Sequence, residues 1–162
     1  KDKLSKFSDH LRRLQNKKGY DFVIIDTRAG KHGELFLPVP LSHVVLLTTR
    51  LDGHSIKKTM KLYEEFYLDF PSLKMFFIEN QVPLLEDESK VDRTINTQIE
   101  KNNEIWHGFI DKYKEKRFIE VFTIPLSIEI AYTVMGNAVV DPASGNPLTK
   151  YIEDIARKLL NG

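Results

Sequence analysis

The stretch YDFVIIDTRAG, Tyr20 to Gly30, carries the first decision about the fold. Phe22, Val23, Ile24 and Ile25 follow one another without polar alternation, and most are β-branched. A continuous apolar run of this kind predicts a strand over 21–26, buried on both faces as in a parallel sheet. The run ends in a carboxylate, Asp26, and a glycine follows at position 30. A charge at the end of a buried strand is costly unless a cation, a bound water or hydrogen bonds compensate it. Asp26 is therefore the first candidate for chemistry.

The rest of the chain repeats the pattern of strand and helix. Upstream, Leu4, Phe7, Leu11 and Leu14 recur at three- and four-residue steps and predict a helix over 3–18, with Gly19 as its left-handed cap. Residues 27–42 carry Gly30, Gly33, Pro38 and Pro40 and read as a loop. HVVLLTT, 43–49, predicts a second buried strand. A helix should start near Ser55 as N-cap, bury Ile56, Met60, Tyr63 and Tyr67, and stop before Pro71. LKMFFIE, 73–79, predicts a third strand, and the polar, acidic segment 81–93 an exposed loop.

Residues 94–116 are helix-prone, with Ile95, Ile99, Trp106, Ile110 and Tyr113 along one side. Asn102 and Asn103 interrupt that stripe, which suggests two helices. FIEVFTI, 118–124, predicts a fourth strand, and Ser127–Met135 a short helix closed by Gly136. After a turn-rich link over 137–146, Asn146 and Pro147 open a last helix. Its expected buried face is Leu148, Tyr151, Ile152, Ile155 and Leu159. Alternating strands and helices give an α/β class: a three-layer sandwich around a mainly parallel sheet, with 1–162 as a single domain.

Composition narrows the partners. The chain has 162 residues, a length that buries roughly 70% of the unfolded surface in one domain. Its 24 basic and 23 acidic residues leave a net charge of +1, which gives no electrostatic case for DNA or a membrane surface as the main partner. There is no cysteine, so disulfides and thiolate metal sites are excluded; a cytoplasmic location is compatible with this. The five histidines, at 10, 32, 43, 54 and 107, form no H-x-x-x-H pair, and no G-x-S-x-G elbow occurs. The basic run Arg12, Arg13, Lys17 and Lys18 reads as the wet face of the first helix.

Ligands in open parallel sheets bind beyond the carboxyl ends of the strands. After the first strand stand Asp26, Thr27, Arg28, Ala29 and Gly30. Asp26 could hold a magnesium-bound water, and Gly30 could let the backbone approach a phosphate; equally, they could cap and turn a loop. After the third strand stands Asn80, whose amide offers a donor and an acceptor side by side, matching the N6 and N7 edge of adenine. After the fourth stand Pro125, Leu126 and Ser127, either a plain strand-to-helix connection or backbone beside a base. Arg50 and Asp52, after the second strand, are candidates for a partner surface or simply solvated charges.

Taken together, GYDFVIIDTRAG, HVVLLTTRLDGHSIKKTMKLYEEF, KMFFIEN and FTIPLSIEIAYTVMGNAVVDPASGNPLTKYIEDIARKLL resemble the later part of ParA/MinD-type P-loop ATPases. The likeness lies in order and character over nearly the whole chain and is weakest over 82–117. It implies a partial P-loop NTPase fold. By this resemblance Asp26 is the catalytic carboxylate ending the Walker B strand, acting toward the attacking water and, through water, toward magnesium. Thr27 and Gly30 would lie on the phosphate side as parts of the switch segment, with Arg28 and Ala29 as switch residues between them. Asn80 would read adenine, and Pro125 would lie in the loop beside the base. ATP and magnesium are the implied cofactors. The implied partners are a second copy of the chain and a protein that regulates hydrolysis.

Three departures stand out. The family commonly has two prolines where Arg28 and Ala29 stand, and an arginine where Gln81 stands. The third is larger: no G-x-x-x-x-G-K-[ST] occurs in these 162 residues. Gly30-Lys31 is followed by His32, and Ile25 stands where the first glycine of that motif would be. It cannot form the cradle of backbone amides and lysine that surrounds the phosphates. The chain begins with Lys1, and the phosphate loop is expected in a segment upstream of it. On that expectation the chain is the Walker B and adenine-side part of a larger domain and does not hydrolyse ATP alone. The alternative is a non-catalytic interaction module that keeps the fold and binds a protein through the loops at 27–42 and 81–93.

Overall fold

A computed structural model describes residues 2–20, 22–27, 37–83, 93–114, 119–126 and 147–161. The chain divides into two compact units, Lys1–Val45 and Leu46–Gly162.

In the first unit, α1 runs from Asp2 to Lys18. It ends as its sequence predicts. Gly19 has φ 63, in the left-handed region where a side chain would be strained. The Gly19 N–H donates to the Gln15 carbonyl at 3.1 Å, satisfying one of the last orphan acceptors. The strand expected over 21–26 is not formed: residues 22–27 carry no regular secondary structure. Phe22 is 68% exposed and Ile24 93%. A strand exists only through the ladder of a neighbouring strand. β-Branched composition alone cannot supply that ladder. Farther on, Val39–Leu41 forms one 3₁₀ turn, closed by the Ser42 hydroxyl donating to the Pro38 carbonyl at 2.9 Å.

In the second unit a three-stranded parallel sheet has the order β1-β2-β3. β1 is Val44–Arg50, which starts in the first unit, β2 is Lys74–Pro83 and β3 is Val121–Leu126. Helix α2, Gly53–Asp69, joins β1 to β2, and α3, Arg93–Tyr113, joins β2 to β3. The last helix, α4, is Pro147–Asn161. β2 runs beyond its expected end and takes in Gln81, Val82 and Pro83, which the sequence places in a loop. The helix expected over Ser127–Met135 lies outside the described residues.

The α2 N-cap also lies three residues earlier than expected. Asp52, not Ser55, is the N-cap: its Oδ1 accepts from the Ser55 backbone N–H at 2.8 Å. Phe70 closes the other end, and Pro71 cannot continue the helix. α3 is one helix, not two. Asn102 does not break it, because the side chain is fully buried and finds polar partners there.

Strand alternation places Met75, Phe77 and Glu79 on one face of β2. Phe77 is fully buried among Tyr63 of α2 and Trp106 and Phe109 of α3, with ring centroids at 5.3, 5.0 and 5.7 Å. Tyr63 also meets Phe109 and Tyr113, so the aromatic cluster joins both helices to the sheet. The Glu64 carboxylate accepts from Lys112 Nζ at 2.6 Å and the Tyr113 hydroxyl at 3.0 Å. That exposed pair adds little beside the rings. On the opposite face Phe76 meets Phe122 at 5.8 Å. Lys158 of α4 lies over the Phe122 ring and pairs with Glu120. Helices, sheet and helix make the three layers. In α4 Ile155 is buried, but Tyr151 and Ile152, expected on the inner face, are exposed. Among the described residues no helix is long and apolar enough to cross a membrane.

Phe77→Ala should lower the stability to urea by about 3–5 kcal/mol. Leu68→Ala, at a position 79% exposed, should stay within about 0.5 kcal/mol. Asp52→Ala should cost about 1 kcal/mol at neutral pH. Hydrogen bonding to Ser55 holds the Asp52 carboxyl below its usual range. Its contribution is therefore present above the ordinary carboxylate range. The gap between wild type and Asp52→Ala should shrink as pH falls through the depressed value, as thermal melts across the acid range would show.

Candidate functional site

β3 pairs in parallel with the carboxyl-terminal part of β2. Phe77 pairs with Val121, Glu79 with Thr123 and Asn80 with Ile124. The register then shifts: Val82, not Gln81, is the next paired residue, opposite Pro125. One extra residue in β2 makes a bulge, a device that bends a strand and re-aims its side chains. Asn80 and Pro125, two of the candidate site residues, thus come to adjacent strands one pairing step apart. Asn80 is exposed. Asp52, two residues beyond β1, caps α2.

Asp26 and Thr27 are exposed, on the irregular stretch of the first unit. Arg28, Ala29 and Gly30 lie outside the described residues. Among the described residues no group of three or more His, Asp or Glu side chains could hold a metal. A lone carboxylate such as Asp26 does not fit a protein-caged ion. It fits magnesium that keeps its waters and arrives with phosphates.

Directly behind Asn80 lies a feature that sequence reasoning missed. Glu79 is 5% exposed. Its Oε1 accepts from the Trp106 indole Nε1–H at 3.3 Å and from the Asn102 amide Nδ2 at 3.5 Å. Asn102 Oδ1 in turn accepts from Gln98 Nε2 at 2.8 Å. Residues 98, 102 and 106 are four apart, so α3 turns all three toward the same side. Two signals in the sequence point to this network: an acid on the core alternation of Met75 and Phe77, and an asparagine within an apolar helix stripe. Only their pairing was hidden.

Burial pushes the Glu79 carboxyl above its usual range, and the hydrogen bonds from Trp106 and Asn102 only partly oppose this. The folded state therefore binds this proton more tightly than the unfolded chain. Its stability is greatest below the ordinary carboxylate range and falls as pH rises through the raised value. Glu79→Gln removes that charge and keeps an acceptor oxygen. Its urea midpoint should gain on the wild type as pH is raised from about 4 toward neutrality; a constant difference would contradict this.

No protein-family profile matches the sequence, and no curated protein sequence matches it. Solved structures do. The MinC:MinD cell division protein complex of Aquifex aeolicus superposes with a TM-score of 0.69 at 15% identity, covering 98% of this chain and 59% of that one. The MinD cell division protein of Aquifex aeolicus gives 0.67 at 15% identity, covering 98% and 61%. The chain spans about three fifths of the length of these neighbours. At this identity the likeness is one of fold, and the fold of this chain is MinD-like.

Proposed function

We propose that this chain carries the Walker B, switch and adenine-side half of a nucleotide-switch ATPase of the ParA/MinD type. Such a protein binds and hydrolyses ATP in step with dimerisation and with the partition or positioning of DNA or a macromolecular complex in the cytoplasm. One observation carries the reading: Asn80 and Pro125 lie one pairing step apart, toward the carboxyl ends of neighbouring parallel strands in a MinD-like fold. That end of an open α/β sheet is where ligands bind.

The chemistry follows from residue type. The Asn80 amide can donate and accept along one edge of adenine. Pro125 fixes its own backbone and offers only a carbonyl, and would stand beside the base. Asp26 would orient a magnesium-bound water and the attacking water. Thr27, Arg28, Ala29 and Gly30 would follow the terminal phosphate. Magnesium would neutralise charge on the phosphates. The reading requires a phosphate loop, absent from these 162 residues, to be supplied by polypeptide outside them. It also takes a second copy as dimer partner and a protein that stimulates or restrains hydrolysis.

The exposed apolar residues Phe22, Val23 and Ile24 favour a second reading, an interaction module that binds a protein through the loops at 27–42 and 81–93. ATP binding and turnover, measured on the intact protein containing this chain, separate the two. Saturable binding is expected. Asp26→Ala should lower turnover at least about 100-fold while binding persists. Asn80→Ala should weaken ATP binding about tenfold, the equivalent of one adenine contact of about 1–3 kcal/mol. Unchanged turnover in Asp26→Ala sinks the assignment of Asp26 as the Walker B carboxylate; a folded protein that binds no nucleotide supports the module.

A further inference from the structure

Met75, Phe77 and Glu79 share one face of β2. The first two are apolar, as burial against helices demands. The third is a carboxylic acid, just as buried. Stability alone does not account for it. Burying a carboxyl is costly, and well-packed apolar replacements of buried charged groups are often neutral or stabilising. Its partners are neutral donors, so no opposite charge offsets the cost.

What the network does achieve is geometric. Phe77 anchors β2 to α3 through Trp106 and Phe109. Glu79 carries that anchor two residues farther along the strand, onto the same Trp106 and onto Asn102 one turn away. The next residue is Asn80, and immediately beyond it the β2–β3 register breaks. Glu79 is thus the last inward-facing residue of β2 before the irregularity. Asn102 is itself held by Gln98, so the receiving end is fixed along two turns of α3. A buried hydrogen-bonded network of this kind favours one arrangement over its neighbours. Site residues need such support to hold their geometry to fractions of an ångström.

We propose that Glu79 is a positioning residue: clamped by Trp106 and Asn102, it fixes β2 just before its register shift so that Asn80 meets the edge of the base, and it thereby sets the preference for adenine over guanine. This rests on the reading of Asn80 as the adenine-side residue.

The test compares ATP and GTP dissociation constants for the intact protein and its Glu79→Leu, Trp106→Phe, Glu79→Gln and Asn80→Ala variants. Leucine leaves the Trp106 and Asn102 donors without an acceptor; phenylalanine removes one donor and keeps an aromatic ring. Both should lower the ATP-over-GTP preference, by about tenfold for leucine if the adenine contact is misplaced. Glu79→Gln keeps the acceptor oxygen and should hold the preference within about twofold, well under the tenfold step of 1.4 kcal/mol. A purely structural role would weaken ATP and GTP alike and leave their ratio unchanged. An unchanged ratio in Glu79→Leu and Trp106→Phe, alongside a lost ratio in Asn80→Ala, overturns the proposal and leaves the ATPase reading standing. If Glu79→Leu does not fold, Trp106→Phe decides. A wild type that binds ATP and GTP equally overturns the proposal; one that binds neither overturns both.

Discussion

The burial of Phe77 is the contact on which the second unit depends. One ring on the middle strand meets Tyr63 of α2 and Trp106 and Phe109 of α3. Aromatic pairs of this kind are worth about 0.5–1.5 kcal/mol each beyond the area they bury. Their larger effect is directional. Tilted and edge-to-face rings accept few alternative arrangements, so the two helices are held at set places over β2. Because β2 has neighbours on both sides, its placement also sets that of the sheet.

From Phe77 the order extends toward the strand end, and its character changes from apolar to polar. Packing alone would favour another hydrophobe at position 79. The chain has an acid there, and α3 meets it with an indole N–H and an amide. The same Trp106 therefore does two things: its ring packs on Phe77 and its nitrogen donates to Glu79. The cost of the buried carboxyl is borne beside Asn80 and the register shift. Departures from the best local packing are expected at functional or strained sites. In open α/β sheets generally, ligands bind beyond the carboxyl ends of the strands.

The first unit shows the converse. Phe22 to Ile25 has the composition of a buried strand, yet its described residues form no ladder and are largely exposed. Val44–Arg50 is hardly richer in β-branched residues and does form a strand. What separates the two is a paired neighbour, β2, and not propensity. A parallel strand takes its neighbours from distant parts of the chain. The composition of the strand itself says nothing about whether they are at hand.

Sequence alone determined the features closed by nearby hydrogen bonds or steric rules. Gly19 ends α1, Pro71 follows the end of α2, and Pro147 opens α4, each through groups within one helical turn. The apolar periodicity that marks Ile56, Met60 and Tyr63 is equally local, and so is the alternation of strand and helix that specifies the α/β class. Tertiary structure decided whatever needed a partner far along the chain. It left 22–27 without a ladder and extended β2 through Pro83. It kept α3 whole across Asn102 by giving that side chain Glu79, twenty-three positions away, as an acceptor. It left Tyr151 and Ile152 exposed, and it brought Asn80 and Pro125 together. A helix carries its own hydrogen-bond partners, three or four residues away; a strand and a buried polar group must find theirs elsewhere, and only the fold says where.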